Sequence, residues 1–154
     1  MSNLTIELLA PDQLRSAYPL IREALPSLDL AGWLRFTRQT AAARRAGRAG
    51  VVAARRIGRP YPCGLFCYRV DQDLEKGRVL IAEHFVAVDL LEPAAVLAAL
   101  VAELDRLGAR LGCNAVRSIV HGTAMEVSGG LTKAGHIAAG TFLCKPLLDA
   151  TSAQ

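Results

Sequence analysis

With 154 residues, 52% of them hydrophobic, the chain has the size of one domain and enough apolar side chains to bury a core without disulfides or a metal. No apolar run approaches the roughly 18 residues of a membrane-crossing helix, and residues 1–9 lack the basic start, apolar stretch and cleavage site of a secretory signal. The net charge of +4 is unevenly spread: nine arginines from Arg35 to Arg69 have no acid among them, while the other nine basic side chains meet all 14 acidic ones. Such a block attracts anions, or forms a solvated basic face. The expectation is a soluble cytoplasmic protein without membrane contact, with one domain over residues 1–148 and a frayed tail at 149–154.

In chain order, residues 5–9 alternate with an apolar bias and stop at Ala10-Pro11, as a first strand would. Asp12 is placed to cap a helix carrying Leu14, Tyr18, Ile21 and Leu25 at helical spacing. A second helix begins near Asp29 and buries Leu30, Trp33, Leu34, Thr37 and Ala41, with Arg35, Arg38 and Arg45 on its polar side. Residues 51–56, 63–71 and 78–88 read as a three-strand meander joined by short turns. On its last strand Glu83 and Phe85 point one way and His84 and Val86 the other, with both faces mostly apolar, so this strand is expected to be central. Residues 93–111 form the clearest helix, with proline in its first turn and Leu97, Leu100, Leu104, Leu107 and Leu111 on one stripe. A strand at 115–120 follows. Thr123 to Glu126 matches a capping box for a short helix that Gly129 and Gly130 are expected to break into two turns before Gly135. Residues 137–143 read as a closing strand.

Cys63, Cys67, Cys113 and Cys144 form no CxxC pair and sit in apolar strand-like segments, as reduced core thiols do. On one strand Cys63 and Cys67 would stand about 13 Å apart, too far for a shared metal or a disulfide. No metal-ligand spacing and no Ser-His-Asp pattern is present, so no metal is expected. Glu83, in a half-buried strand, is a candidate for a raised pKa and general-base work, or else a partner for a neighbouring arginine. His121, at a strand end, is the best placed histidine for a ligand crevice. His84 and His136 read as structural.

The order strand, helix, helix, meander, long helix, strand, short helix, strand resembles that of the GNAT acyltransferases and spans nearly the whole chain. Residues 86–112, a strand entering a leucine-striped helix, add local resemblance. So does Leu131-Thr-Lys-Ala-Gly-His136 followed by Gly140-Thr-Phe-Leu-Cys-Lys-Pro146. The resemblance implies an α/β fold with a central mixed sheet flanked by helices. It also implies acetyl-CoA or another acyl-CoA as cofactor and a small-molecule or protein amine as acceptor. It places the cofactor at Val86, Val88, Ala94, Ala95 and Val96, and the base at Glu83 or His121.

The chain departs from the family at two points. The pyrophosphate turn, Arg/Gln-x-x-Gly-x-Gly/Ala, corresponds here to Glu92-Pro93-Ala94-Ala95-Val96-Leu97, without the basic residue or either glycine. Asp89 and Glu92 add negative charge there, or serve as ordinary helix caps. The family's tyrosine acid corresponds to Leu131. The competing reading is a non-catalytic module of the same fold that binds an anionic ligand at the Arg35–Arg59 block or a protein partner, and a homodimer is compatible with either. Nucleic-acid binding is disfavoured because the block lacks interleaved aromatics.

Overall fold

The computed structural model of the protein describes residues 3–121 and 125–148. Five strands lie in the order β1 (Leu4–Leu8), β2 (Ala49–Arg56), β3 (Gly64–Asp73), β4 (Gly77–Ala87) and β5 (Ala115–Ile119). The first four pair antiparallel, and β4 and β5 pair in parallel. Between β3 and β4 the Asp73 carboxylate accepts the backbone N–H groups of Glu75 and Lys76, and Gly77 supplies the positive φ that reverses the chain. The crossover between the parallel strands is α4 (Pro93–Arg110).

α4 places Leu97, Leu100, Leu104 and Leu107 on one sheet face, against Val52, Phe66, Leu80 and Ala82. Burying a leucine such as Leu100 or Leu104 completely stabilises the fold by about 1.5–3 kcal/mol. The helix comes so close that a Cβ at Gly64 would lie 2.6 Å from Val96 Cγ1. Helices α1 (Tyr18–Ala24) and α2 (Leu30–Gln39) cover the other face, where Ile21 and Trp33 pack on Val51, Leu65, Cys67 and Val86. Asp29 caps α2 by accepting the Gly32 N–H at 2.7 Å, and a short α3 (Ala41–Arg45) leads into β2.

The first helix is shorter than its apolar spacing predicts. Asp12 lies inside a 3-10 turn, Pro11–Gln13, where Gln13 Oε1 accepts the Ala10 N–H, and a second turn, Arg15–Ala17, precedes α1. Pro19 explains this, because it has no N–H for the carbonyl one turn back and is accommodated in the first turn of a helix. The capping box at Thr123 lies outside the described residues. α5 (Met125–Lys133) is continuous through both glycines and ends with Gly135 N–H on the Thr132 carbonyl and His136 N–H on the Leu131 carbonyl, a Schellman closure.

The closing strand expected at 137–143 is absent: that segment has no ladder, and Ile137, Phe142 and Leu143 are exposed. Ala138, Ala139 and Gly140, poor strand formers, occupy its first half. Cys144 is therefore exposed rather than a core thiol, whereas Cys67 is buried.

Candidate functional site

Strands β4 and β5 pair from Val79 and Ala115 to Glu83 and Ile119, and no further. On the other edge of β4 the register steps from Cys67 opposite Glu83 to Leu65 opposite Val86, so His84 and Phe85 of β4 together face the single Phe66 of β3. The extra residue makes a bulge. His84 sits in it with φ 62°, a left-handed conformation that costs a non-glycine residue about 1–2 kcal/mol.

This bulge overturns the strict alternation that aimed His84 away from Glu83. His84 Nε2 lies 3.6 Å from Glu83 Oε2, and His121 Nε2, arriving from the end of β5, lies 3.2 Å from the same oxygen. The two imidazole rings are nearly parallel with centroids 5.1 Å apart, and Phe142 meets His121 edge-on. Arg69 donates to the other oxygen, Glu83 Oε1. His84 Nδ1 is buried and has no partner among the described residues.

Burial of Glu83 pushes its carboxyl up, but the hydrogen bond with His121 and the neighbouring His84 and Arg69 outweigh it and hold the group below the usual value. The raised pKa expected from a half-buried strand position is thus reversed: the sequence did not disclose that three basic groups converge on one carboxylate. Burial lowers the His84 pKa, and the Glu83 charge offsets this only in part, so the ring is neutral at pH 7. One ligand atom from each of Glu83, His84 and His121 lies within 4.8 Å of the others, so the three could also hold a divalent ion. Two strands supply them, and no ligand spacing marks them in the sequence.

Two cavities meet at His84. A small one of about 100 Å³ lies over β2, β3 and β4 under α2 and α3, with Phe36, Thr40, Arg44, Tyr68, Arg69 and Glu83 among its walls. A cleft of about 370 Å³ opens where β4 and β5 separate, between Phe85 to Val88 on one strand and Ile119 to His121 on the other. Val86, Val88 and His121 line the cleft; Glu83 lines the small cavity.

At the far end of the cleft, the backbone before α4 is already engaged. Val88 N–H donates to the Cys63 carbonyl, Pro93 has no N–H, and those of Ala95 and Val96 turn back onto the Glu92 carbonyl. Asp89 does not cap α4; it accepts the Leu91 N–H and pairs with Arg56, which also lies 3.9 Å from Glu92. Arg56 therefore offsets part of the negative charge that the sequence places at this turn. Leu131, expected from the resemblance to stand in place of a tyrosine acid, is buried in the α4 core.

No protein-family model matches the sequence, and no curated protein matches it significantly. Solved structures match over nearly the whole chain. An acetyltransferase of Trypanosoma brucei is 17% identical with a TM-score of 0.71, over 94% of this chain and 99% of that one. Aminoglycoside N-acetyltransferase AAC(6')-Iy, in complex with a CoA bisubstrate analogue, is 14% identical with a TM-score of 0.77, over 96% and 100%. Glucosamine-6-phosphate N-acetyltransferase of Arabidopsis thaliana is 14% identical with a TM-score of 0.72, over 95% and 99%. The fold is that of the GNAT acetyltransferases. Within the GNAT fold of this chain, His84 is the site neighbour that sequence reasoning missed. An unpaired extra residue in an apolar strand leaves no mark in single-sequence periodicity.

Proposed function

We propose that the protein is an N-acyltransferase that moves an acyl group from an acyl-CoA to an amine. The observation that carries this reading is the meeting of two cavities at one cluster of proton-accepting groups: the small cavity ends on Glu83, the cleft ends on His121, and the two side chains are 3.2 Å apart. A two-substrate transfer needs this arrangement, because both substrates must reach the groups that move the proton. The apolar walls at Val86, Val88 and Val120 fit the arm of an acyl-CoA, which when bound supplies the activated thioester carbonyl. The turn at 92–97 does not fit its phosphates, since little of the backbone is free to receive them.

Glu83 takes a proton from the acceptor amine and shares it with His121. Arg69 fixes the carboxylate through Oε1 and leaves Oε2 toward the histidines. Leu131 offers no acid, and none is assigned there.

The test is release of CoA thiol from acetyl-CoA at high concentration with a panel of primary amines. Glu83→Gln and His121→Asn are each expected to slow transfer by about 10²-fold with thermal stability retained. Transfer that survives both substitutions moves the chemistry elsewhere. If no amine in the panel accelerates thiol release, the non-catalytic reading of this fold is correct.

A further inference from the structure

Arg44 is the charged side chain of the small cavity that the proposed reaction does not use. It is half-buried on α3, and its Nη1 donates to Thr40 Oγ1 at 2.8 Å. Among the described residues its enclosed Nε has no hydrogen-bond partner and the side chain forms no ion pair. Burial, and secondarily the nearby Arg45, lower its pKa, the sign of a cation short of a counter-ion. Glu83 is the carboxylate in the cavity wall, and it is already held by Arg69 and His121. Arg44 lines the cavity as a cation without a counter-ion among the described residues, so an anion entering the cavity would meet it.

We infer that the small cavity takes an amine that also bears a carboxylate, the carboxylate pairing with Arg44 and the amine turned toward Glu83. Two features define the class. The positive Arg44 and negative Glu83 in one cavity wall match the two ends of a zwitterion, and a guanidinium fork is the best donor set for a carboxylate. The cavity is small, about 100 Å³, which favours a small amino acid. The orientation of the amine rests on the acyltransfer reading; occupancy of the cavity by the carboxylate does not.

Binding is measured on the whole protein without acyl-CoA, by calorimetry and by the NMR resonance of the Arg44 Nε–H. The probes are glycine, alanine and β-alanine, each compared with its amide. The acids are expected to bind at least about tenfold more tightly than the amides and to shift the Arg44 resonance. Arg44→Ala should erase the difference, and Arg44→Lys, which keeps the charge, should restore part of it. Circular dichroism checks that both variants fold. Equal affinity for acid and amide, an acid preference that survives Arg44→Ala, or no binding of any acid at roughly 10 mM overturns the inference.

Adding acetyl-CoA separates the two readings. An acid that binds through Arg44 but is never acetylated overturns the acyltransfer reading and leaves the pocket assignment standing. Amides acetylated as fast as the acids overturn the assignment and leave the reading standing.

Discussion

His84 combines a strained backbone, a buried ring nitrogen without a partner among the described residues and contact with Glu83 and His121. Strain of this kind persists only where the surroundings over-determine it, here the step in register between β3 and β4. The ring also makes stability depend on pH. An unfolded histidine takes up a proton near pH 6.5, whereas in the fold burial lowers that value, against Glu83 and with His121 and Arg69. Between the two values the unfolded chain binds more protons, so acid favours unfolding. Stability should fall as pH drops through about 6.5 and level off below the folded-state value. Glu83 acts in a lower window: its folded value is depressed, so its contribution is present above the ordinary carboxylate value and is lost as pH falls through the lowered one. His84→Asn tolerates positive φ and removes the imidazole. Thermal midpoints from about pH 7.5 to 5.5 should therefore decline in the parent protein and stay flat in the variant. An equal decline in both would trace the effect to another group.

At the scale of elements, α5 shows packing overriding propensity. Gly129 and Gly130 each disfavour a helix by about 1 kcal/mol relative to alanine, yet the helix crosses both, held by Leu131 in the α4 core and by the closure at Gly135. A Cβ at Gly129 meets nothing within 4 Å, whereas at Gly130 it would press on Leu97 at 3.3 Å. Gly129→Ala should therefore stabilise the protein by up to about 1 kcal/mol, read as a raised urea midpoint at unchanged slope. A lowered midpoint would mean that the glycine serves something other than space.

The same balance sets what could be read from the residues alone. The meander and α4 were legible because alternation and a leucine stripe report directly on burial, and Glu83 stood out as a carboxylate in an apolar strand. The short first helix, the bulge at His84 and the missing closing strand depend on Pro19, on register against β3 and on what pairs with β5. Pro19 is a local signal that apolar spacing passes over, whereas the bulge and the missing strand depend on long-range pairing that local pattern does not contain.

Over the whole molecule the arginine block is less free than its composition implies, because acids from elsewhere in the chain reach into it. Arg55 pairs with Glu7, Arg56 with Asp89 and Glu92, and Arg69 with Glu83. The pairing of Arg56 bears on acyl-CoA affinity. Asp89 and Glu92 stand at the turn proposed to meet pyrophosphate, and their local cation, Arg56, is already committed to Asp89. The N–H groups that would replace the phosphate's water face the Glu92 carbonyl instead. If the cleft takes the apolar arm as proposed, binding should be weak rather than absent. Calorimetry with acetyl-CoA should give a dissociation constant of about 100 μM or poorer. Glu92 is largely exposed, so removing its charge is worth about 1 kcal/mol at most, and Glu92→Gln should tighten binding by no more than about fivefold. A low-micromolar constant for the unaltered protein would mean that the phosphates have found another grip. The cavity beside this turn, walled by Arg56, Arg59 and Tyr61, would then be the place to substitute next.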